Sequence, residues 1–594
     1  GNGAAEMAIP ILTSTLTIVA VFLPVVLKAG MAKEIFHDLS YAISFSLLAS
    51  LVVSLVFVPM AAAKFLNPNA MTEHDGKIFA KVKSIYLKVL TKALQYRGRT
   101  LLVVLLLFIL SMLVGCPRVK TEFMPDMDTG QYVITGTLAK GLDVNKANEI
   151  AKQIENVVKK DKFTNDYSAS VTADTITVNV QISGKKERKE DMSEVISEVR
   201  SHLQGIPDVK LTIVNSDGGP GGGSGGSINL KLYGSDTTQL KLLAEKVTKQ
   251  LKNTEGLADI SSSNEGGNPE LVINVDREKA QSYGLKISDI TSLISYQVKG
   301  GEAFTIKSNS SDVDVTVRLA EEYRNSSDRI LDLYINTSSG PIKLKEVATL
   351  TVQEGAAKID KEDGQNVITI SGNPDGIDLN TATAKMKQAV EGAGLPSGIT
   401  YDFGGNQKQF TDVMKDLLIA LATSIILMYL ILTIEFNSLM QPLIILTALP
   451  LSIIGVLFAI GITGIKFNVM VMIGIIMLGG IVVNNGIVFI DFVNVLRAKG
   501  MGVTDALKEA AKTRLRPIIM TKATAEFGMV PMALALGEGS EYYQGLAIAV
   551  IFGLTFSTLL TLFVIPVLYS LKESAQTRIV NKFKNRPKKI TTEE

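Results

Sequence analysis

The sequence predicts an α-helical membrane protein with a large α+β region outside the bilayer, and three observations support this fold class. The 594 residues are 46% hydrophobic and 20% charged, with a mean hydropathy of +0.26, which suits a chain that lies partly in lipid and partly in water. Eight mostly apolar stretches are each long enough to cross a membrane. About 295 residues separate the third stretch from the fourth, and a segment of that length must fold into domains.

The eight predicted transmembrane helices lie at about 8–28, 39–63, 100–116, 412–433, 440–460, 467–493, 517–536 and 544–570. Lysine and arginine gather in three segments between or after them, namely 67–99, 497–516 and 572–594. The positive-inside rule places these three segments on the cytoplasmic side, and eight helices that start inside give the same answer. The long polar segment then lies outside the cytoplasm.

The segment 77–96 has helical periodicity, with apolar residues on one face (Ile78, Val82, Ile85 and Val89) and Lys81, Lys88 and Lys92 on another. We expect a basic amphipathic helix on the inner leaflet, and the alternative is an ordinary solvated linker helix.

The outer segment has the rhythm strand, helix, strand, strand, helix, strand. The predicted elements lie at 131–138, 143–159, 166–171, 175–183, 189–204 and 209–214. This βαββαβ order is typical of a ferredoxin-like subdomain. After GGPGGGSGG (218–226) the rhythm restarts at 228–234, 237–253, 258–263 and 270–275, and it resumes at 367–373, 380–393 and 399–405. We therefore expect a second such subdomain, interrupted by a domain inserted at about 277–350.

Composition argues against several function classes. One cysteine, Cys116, excludes an intramolecular disulfide framework and a cysteine metal cluster, and three histidines leave little for a histidine site. A net charge of +2 gives no indication of a nucleic-acid partner. The glycine-rich run 218–226 lacks the Lys-Ser/Thr that a phosphate-binding loop requires, so we expect a flexible linker, no nucleotide cofactor and no enzyme activity.

Ordered motifs carry a family resemblance. EFMPDMDTGQ (122–131) and INVDREKAQSYGL (273–285) lie in the outer segment, while TSTLTIVAVFLPVV, SFSLLASLVVSLVFVP, PLSIIGVLFAIGITG, GGIVVNNGIVFIDF, RLRPIIMT and LLTLFVIPVLYSL lie in the apolar stretches. In this order and spacing the chain resembles the C-terminal two-thirds of the RND efflux transporters, starting after the fourth transmembrane helix. The opening GNGAAEMAIP is consistent with a fragment or a split gene product.

The resemblance implies transmembrane helices five and six at 1–66, a cytoplasmic helix at 67–99, helix seven at 100–117, helices eight to twelve at 406–571 and a basic tail at 572–594. It assigns a first porter subdomain to 118–215, a second to 216–276 and 351–405, and a docking subdomain to 277–350. It further implies a homotrimer in the cytoplasmic (inner) membrane that exports amphiphilic small molecules with an ion gradient. A periplasmic or cell-surface adaptor would be a partner, as would an outer-membrane channel where an outer membrane exists.

Polar residues inside the sixth apolar stretch are the first candidates for ion coupling, because a polar side chain in lipid costs free energy and typically has a function there. They are Asn484, Asn485 and Asp491, and Asn484 and Asp491 share one helical face. In many relatives the position of Asn484 is a lysine that responds to protonation of acidic residues on the fourth helix. The resemblance places that helix outside this chain. Asparagine cannot carry that charge, and the other interpretation is hydrogen-bonded helix packing.

Four residues of the next helix are further candidates. Arg514 and Thr521 match positions that relatives use in proton relay, although Arg514 is also explained as a positive-inside anchor and Thr521 as a hydroxyl bonded to its own helix. Lys522 and Glu526 are four residues apart, where relatives have small or threonine residues. Three hypotheses stay open: Lys522 reaches the headgroups while Glu526 is protonated and structural, the two form a static ion pair, or Glu526 titrates in a relay.

Substrate is expected in a cleft between the porter subdomains, where Thr135, Thr172 and Asp174 are the candidate lining residues. The connection Thr172-Ala173-Asp174 is short and lacks the aromatic loop of multidrug relatives. Met124, Met127 and Met192 are too scattered for the methionine cluster of metal exporters, so we expect no metal site. The alternatives to an exporter are an inactive or scaffold fragment and a secretion-assisting relative.

Overall fold

The computed structural model describes residues 2–584 except 28–29, 66–75, 116–118, 126, 139–141, 173, 186, 189, 204, 217–227, 265–268, 308–311, 325, 338–339, 355–359 and 538. The predicted glycine-rich linker, Cys116 and the last ten residues of the basic tail lie outside the described residues. The same is true of most of the 67–76 connection.

Five helices precede the outer region: α1 (Asn2–Leu27), α2 (Met31–Val52), α3 (Val58–Phe65), α4 (Lys77–Gln95) and α5 (Arg97–Gly115). A π-helical turn at Val53–Phe57 joins α2 to α3, so that Met31–Phe65 is one apolar span. In α4, Tyr86 and Leu90 are buried on one face, whereas Ile78 and Val82 are exposed on another. The helix therefore packs on the bundle and keeps an uncovered apolar face, and its contact with the inner leaflet stays a prediction.

The first α/β unit comprises β1 (Gln131–Leu138), α6 (Val144–Lys160), β2 (Thr164–Val171), β3 (Thr175–Ile182), α7 (Met192–Leu203) and β4 (Val209–Asn215). Its strands form one antiparallel sheet in the order β2-β3-β1-β4. Alternate residues of β1, such as Tyr132 and Ile134, are fully buried under the two helices, because successive side chains of a strand point to opposite faces. The element order is the one that the sequence pattern predicts.

The chain then forms β5 (Ile228–Gly234), α8 (Thr237–Lys252), β6 (Leu257–Ser262) and β7 (Pro269–Val275). The inserted region follows as α9 (Arg277–Ser282), α10 (Ile287–Ile294), β8 (Gly301–Lys307), β9 (Asp312–Val317), α11 (Ser327–Leu331), β10 (Tyr334–Thr337), β11 (Gly340–Lys343) and β12 (Ala348–Glu354). Its helices and strands enclose a small core around Ile290 and Leu344.

The second α/β unit is completed by β13 (Asp360–Glu362), β14 (Gln365–Pro374), α12 (Leu379–Ala393) and β15 (Thr400–Gly405). Strand β14 pairs with β5, β6 and β13, and β15 pairs with the other edge of β5. The order β6-β14-β5-β15 repeats that of the first sheet. The two units are therefore repeats of one topology.

The sequence pattern assigns one strand to the wrong sheet. The sequence pattern assigns 270–275 to the second unit, but β7 pairs with β12 in a separate two-stranded sheet. Ile273 and Val275 pack on the core of the inserted region. The β7–β12 pair thus forms the stalk through which the chain enters and leaves the insertion.

Six helices follow: α13 (Asn406–Phe436), α14 (Met440–Leu446), α15 (Ala448–Thr463), α16 (Val469–Ala498), α17 (Val503–Ala533) and α18 (Glu541–Lys584). Seven helical segments among the described residues are long and apolar enough to cross a membrane, and α14 and α15 together make one of them. The predicted span 517–536 is not among the seven, since it contains Lys522 and Glu526, so the predicted number of eight is not confirmed.

Two helices extend beyond their predicted ends. The segment 497–516 was expected as a loop, but from Val503 onward it is the first part of α17, because Ala506, Leu507, Ala510 and Ala511 recur at helical spacing and are buried. The last predicted membrane helix ends at about 570, whereas α18 continues into the basic tail as far as Lys584.

Close packing of α15 on α18 predicts one strong substitution effect. A Cβ atom at Gly455 would lie 2.3 Å from the carbonyl oxygen of Phe552, whereas a Cβ at Gly461 of the same helix would meet nothing within 4 Å. We expect Gly455→Ala to lower the free energy of unfolding by about 2 kcal/mol. Gly461→Ala is the matched control and should raise it slightly, since glycine weakens a helix. Unfolding by denaturing detergent measures both, and equal values for the two variants would contradict the packing.

Candidate ion-coupling site

Helix α16 lies in the centre of the bundle and carries the first group of candidate residues. It packs against α1, α13, α17 and α18. Gly480 permits the approach of α1, because a Cβ there would lie 3.1 Å from a methyl carbon of Ile18. Gly480 therefore lets α1 lie close to this face of α16.

Asn484 makes a contact with α1. Its side-chain oxygen accepts a hydrogen bond of 2.7 Å from the hydroxyl of Ser14. This geometry fits the packing interpretation of Asn484, while Asn485 is half-buried beside it.

Asp491 lies two turns further along α16, at the end of the bundle away from the α/β units. It is half-buried and interacts electrostatically with Glu435 of α13 and Arg514 of α17. Glu435 in turn accepts a 2.8 Å hydrogen bond from Thr13 of α1. Two carboxylates and one guanidinium thus share this end of the bundle.

Arg514 and Thr521 do not point to one common site. The Arg514 guanidinium lies 4.5 Å from the centre of the Phe492 ring, a cation–π contact beside Asp491. The Thr521 hydroxyl donates to the carbonyl of Ile518 on its own helix at 3.0 Å. The structure thus brings Arg514 near Asp491 and leaves Thr521 bonded locally.

Lys522 and Glu526 occupy the interface of three helices. The Lys522 side chain is buried, and its ammonium donates to the carbonyl oxygen of Ile481 in α16 at 3.0 Å. One turn away, Glu526 Oε1 accepts a 2.9 Å hydrogen bond from the hydroxyl of Thr555 in α18. The two residues therefore join α17 to both of its neighbours.

The geometry narrows one part of the three hypotheses for this pair, namely the position of the Lys522 ammonium. Lys522 does not reach toward headgroups, because it is only 6% exposed and is held by Ile481. No contact of 4 Å or less joins its ammonium to the Glu526 carboxylate among the described residues, but the two groups interact electrostatically. Each group also has a hydrogen-bond partner on another helix. Whether Glu526 is protonated and structural, is paired with Lys522 or titrates stays a prediction.

The substrate candidates lie on the first sheet but at separate places. Thr135 is in the middle of β1, opposite Thr177 and Thr212 on the face away from the helices. Thr172 closes the β2–β3 hairpin through its hydroxyl bond to Thr175 at 3.0 Å, and Asp174 is exposed in the same turn. Only Thr172 and Asp174 are brought together.

A cavity of about 730 Å³ lies at another place, where the second unit meets the membrane helices. Its lining combines both signs of charge with apolar side chains: Lys231, Lys408, Lys415, Asp412, Asp416, Met31, Val413 and Ile419. Lys231 is paired with Glu362 at 2.8 Å. A lining of this kind suits a molecule with a charged head and an apolar body.

The sequence analysis did not identify four residues that the structure places in contact with or near the candidate site: Thr13, Ser14, Glu435 and Thr555. Glu435 carried a signal, since it is an acidic residue just beyond the apolar stretch 412–433. The three hydroxyl residues carried none, because serine and threonine are ordinary in membrane helices and their partners are remote in sequence.

Comparisons with known proteins agree with this architecture. The AcrB/AcrD/AcrF family model matches residues 1–573. The cobalt-zinc-cadmium resistance protein CzcA of Cupriavidus metallidurans is 29% identical over 96% of this chain and 56% of its own length. Protein HelA of Legionella pneumophila is 29% identical over 95% and 56%, and the multidrug resistance protein MdtC of Yersinia pestis is 27% identical over 99% and 58%.

A solved structure of a heavy metal efflux pump superposes with a TM-score of 0.84 at 24% identity, over 96% of this chain and 60% of that one. The chain spans a little more than half the length of the curated relatives it matches. The match of the family model along almost the whole sequence, together with this fold, shows that the chain belongs to the AcrB/AcrD/AcrF family of RND superfamily permeases.

Proposed function

We propose that this chain takes part in ion-gradient-driven export of amphiphilic compounds as an RND efflux permease subunit. The observation that carries the proposal is the placement of Lys522 and Glu526, two ionisable side chains held at the meeting point of α16, α17 and α18. Ionisable groups are expensive inside a membrane bundle and typically mark ion pathways. The names of the relatives, which are resistance proteins, favour transport over a scaffold role.

Amphiphiles are the proposed substrates because of the cavity beneath the second unit. Lys415 and Asp412 offer charges of opposite sign there, and Met31 and Ile419 offer apolar surface. MdtC is named for multidrug resistance, which agrees with this substrate class. CzcA is named for cobalt, zinc and cadmium, so export of divalent metals is the second candidate.

We propose the oligomeric state from the family resemblance and the orientation from the positions of the basic segments. We expect an inner-membrane homotrimer with the α/β units on the extracytoplasmic side, since the basic segments 67–99, 497–516 and 572–594 favour the cytoplasm. A periplasmic or cell-surface adaptor would be a partner, and an outer-membrane channel would join it where an outer membrane exists.

Accumulation in cells that express the full-length protein separates the two substrate classes. We expect lower accumulation of a cationic amphiphilic dye than in cells without the protein, and a protonophore should abolish the difference. Cobalt, zinc and cadmium contents should be equal in both strains. Exclusion of those metals without exclusion of the dye would contradict amphiphile export and favour the metal candidate.

A further inference from the structure

The chain between α5 and β1 touches the membrane helices and both α/β units. We call residues 119–125 and 127–130 the junction segment. It has almost no regular structure of its own, apart from a bridge between Thr121 and Phe467 of the α15–α16 turn. Its polar groups are used in contacts with other parts of the molecule.

On the membrane side, the junction segment holds the start of α16. Glu122 accepts a 3.0 Å hydrogen bond from the side-chain amide of Asn468 and forms a 2.9 Å ion pair with Lys466. Asn468 is the N-cap of α16, since its oxygen accepts from the backbone N–H of Val471 at 3.0 Å. One side chain therefore caps α16 and binds Glu122 at the same time.

Toward the second α/β unit, Thr121, the residue before Glu122, contacts the start of α12. The carbonyl of Thr121 accepts from the N–H of Leu379 at 3.1 Å, and its hydroxyl accepts from the N–H of Asn380 at 3.3 Å. That hydroxyl also donates to Asp378 at 2.9 Å. Thr121 thus satisfies N–H groups that the first turn of a helix leaves without partners.

The contact with Asp378 is present at neutral pH. Burial raises the pKa of this carboxyl group, but hydrogen bonds from Thr381 and Thr121 outweigh burial and hold the pKa below its usual value. A carboxylate with a lowered pKa stays ionised until the pH falls through that pKa. The carboxylate form, which is the stronger acceptor for Thr121, is therefore lost only in acid.

The rest of the junction segment reaches α18 and the first unit. The hydroxyl of Tyr542 lies 3.2 Å from the sulfur of Met124. The carbonyl of Met127 accepts from Asn215 of β4 at 2.9 Å, and Asp128 pairs with the buried Arg188. These bonds fix the distal end of the segment to the first sheet.

We infer that the junction segment couples α16 to the second α/β unit, with Glu122 and Thr121 as the positioning residues. Because adjacent residues hold the first turns of α16 and α12, an axial movement of α16 must carry α12 with it or break these bonds. The inference rests on the proposed ion-driven transport, since α16 carries Asn484 and Asp491.

The test uses the full-length protein in vesicles, with spin labels at Lys387 on α12 and Lys159 on α6. We expect an imposed pH gradient to change the distance between the labels in the wild type. Glu122→Ala leaves the backbone bonds between this segment and the α15–α16 turn, so it should weaken that change and lower the maximal export rate of an amphiphilic dye about fivefold, with KM unchanged. Glu122→Gln keeps an acceptor for Asn468 and should retain most of both.

Glu245→Ala, an exposed carboxylate on α8 of the same unit, is the matched control and should behave as the wild type. Should Glu122→Ala not accumulate as folded protein, Thr121→Val removes only a hydroxyl group and carries the same test. A distance change and an export rate in these variants equal to the wild type would overturn the inference. Absence of any change in the wild type would contradict the ion-driven function itself, and the inference with it.

Discussion

Replacing Lys522 by methionine is expected to lower the maximal rate of gradient-driven export at least about tenfold while the protein stays folded. Methionine fills nearly the same space, so the packing between α16 and α17 is retained. What is lost is the ammonium group bonded to Ile481, one turn from Glu526. Export of a fluorescent amphiphile from vesicles, measured beside the thermal unfolding temperature, separates loss of transport from loss of fold.

The Glu526→Gln substitution tests whether the Glu526 carboxylate titrates during export. Glutamine still accepts the hydrogen bond from Thr555, so the contact between α17 and α18 is kept while the ionisable group is removed. We expect export to lose its dependence on pH. Lys512→Met, on the exposed part of α17, is the control and should transport normally. A Glu526→Gln variant with wild-type rate and pH profile would show that Glu526 is only structural.

Arg188→Met is expected to lower the free energy of unfolding of the first α/β unit by about 3–5 kcal/mol. The guanidinium is completely buried and paired with Asp128, whose side chain is 7% exposed. It also donates to the carbonyls of Ser183 at 3.0 Å and Glu190 at 2.7 Å. Removing it leaves a buried carboxylate without its counter-charge. Denaturant unfolding, followed by hydrogen exchange of β1 and β3, measures the loss.

Two further variants test the cause of that loss. Asp128→Leu combined with Arg188→Met removes both charges and should recover the part of the stability that the unpaired carboxylate costs. The part that comes from the Ser183 and Glu190 carbonyls stays lost, because their donor is gone. Lys162→Met breaks an ion pair with Glu190 that is largely exposed and should cost little stability. If Arg188→Met were as mild as Lys162→Met, the buried pair would not stabilise the unit.

Local patterns predicted the elements better than their partners. Strand 131–138 and helix 143–159 appear as β1 and α6 because alternation and helical periodicity are local signals. Strand 270–275 was also found, yet its sheet was not, since its partner β12 lies at the far end of the inserted region. Pairing across such a distance depends on the packing of Ile273 and Val275, which a single strand does not reveal.

The candidate site shows the same limit. The depth and spacing of Lys522 and Glu526 identified them as unusual, because charge in an apolar helix is visible in the sequence. The four-residue spacing suggested that they pair with each other, but their hydrogen bonds go to Ile481 and Thr555 on adjacent helices. Which neighbour lies across from a side chain is a property of helix packing. The contacts of Asn484 with Ser14 and of Glu435 with Thr13 were unpredictable for that reason.

The most direct test of ion-driven export is dye transport by the purified full-length protein in sealed vesicles, with a pH or sodium gradient as the sole energy source. The account predicts that one of these gradients drives the dye across the membrane and that ATP alone drives none. Transport that requires ATP, or no transport under either gradient, would contradict it.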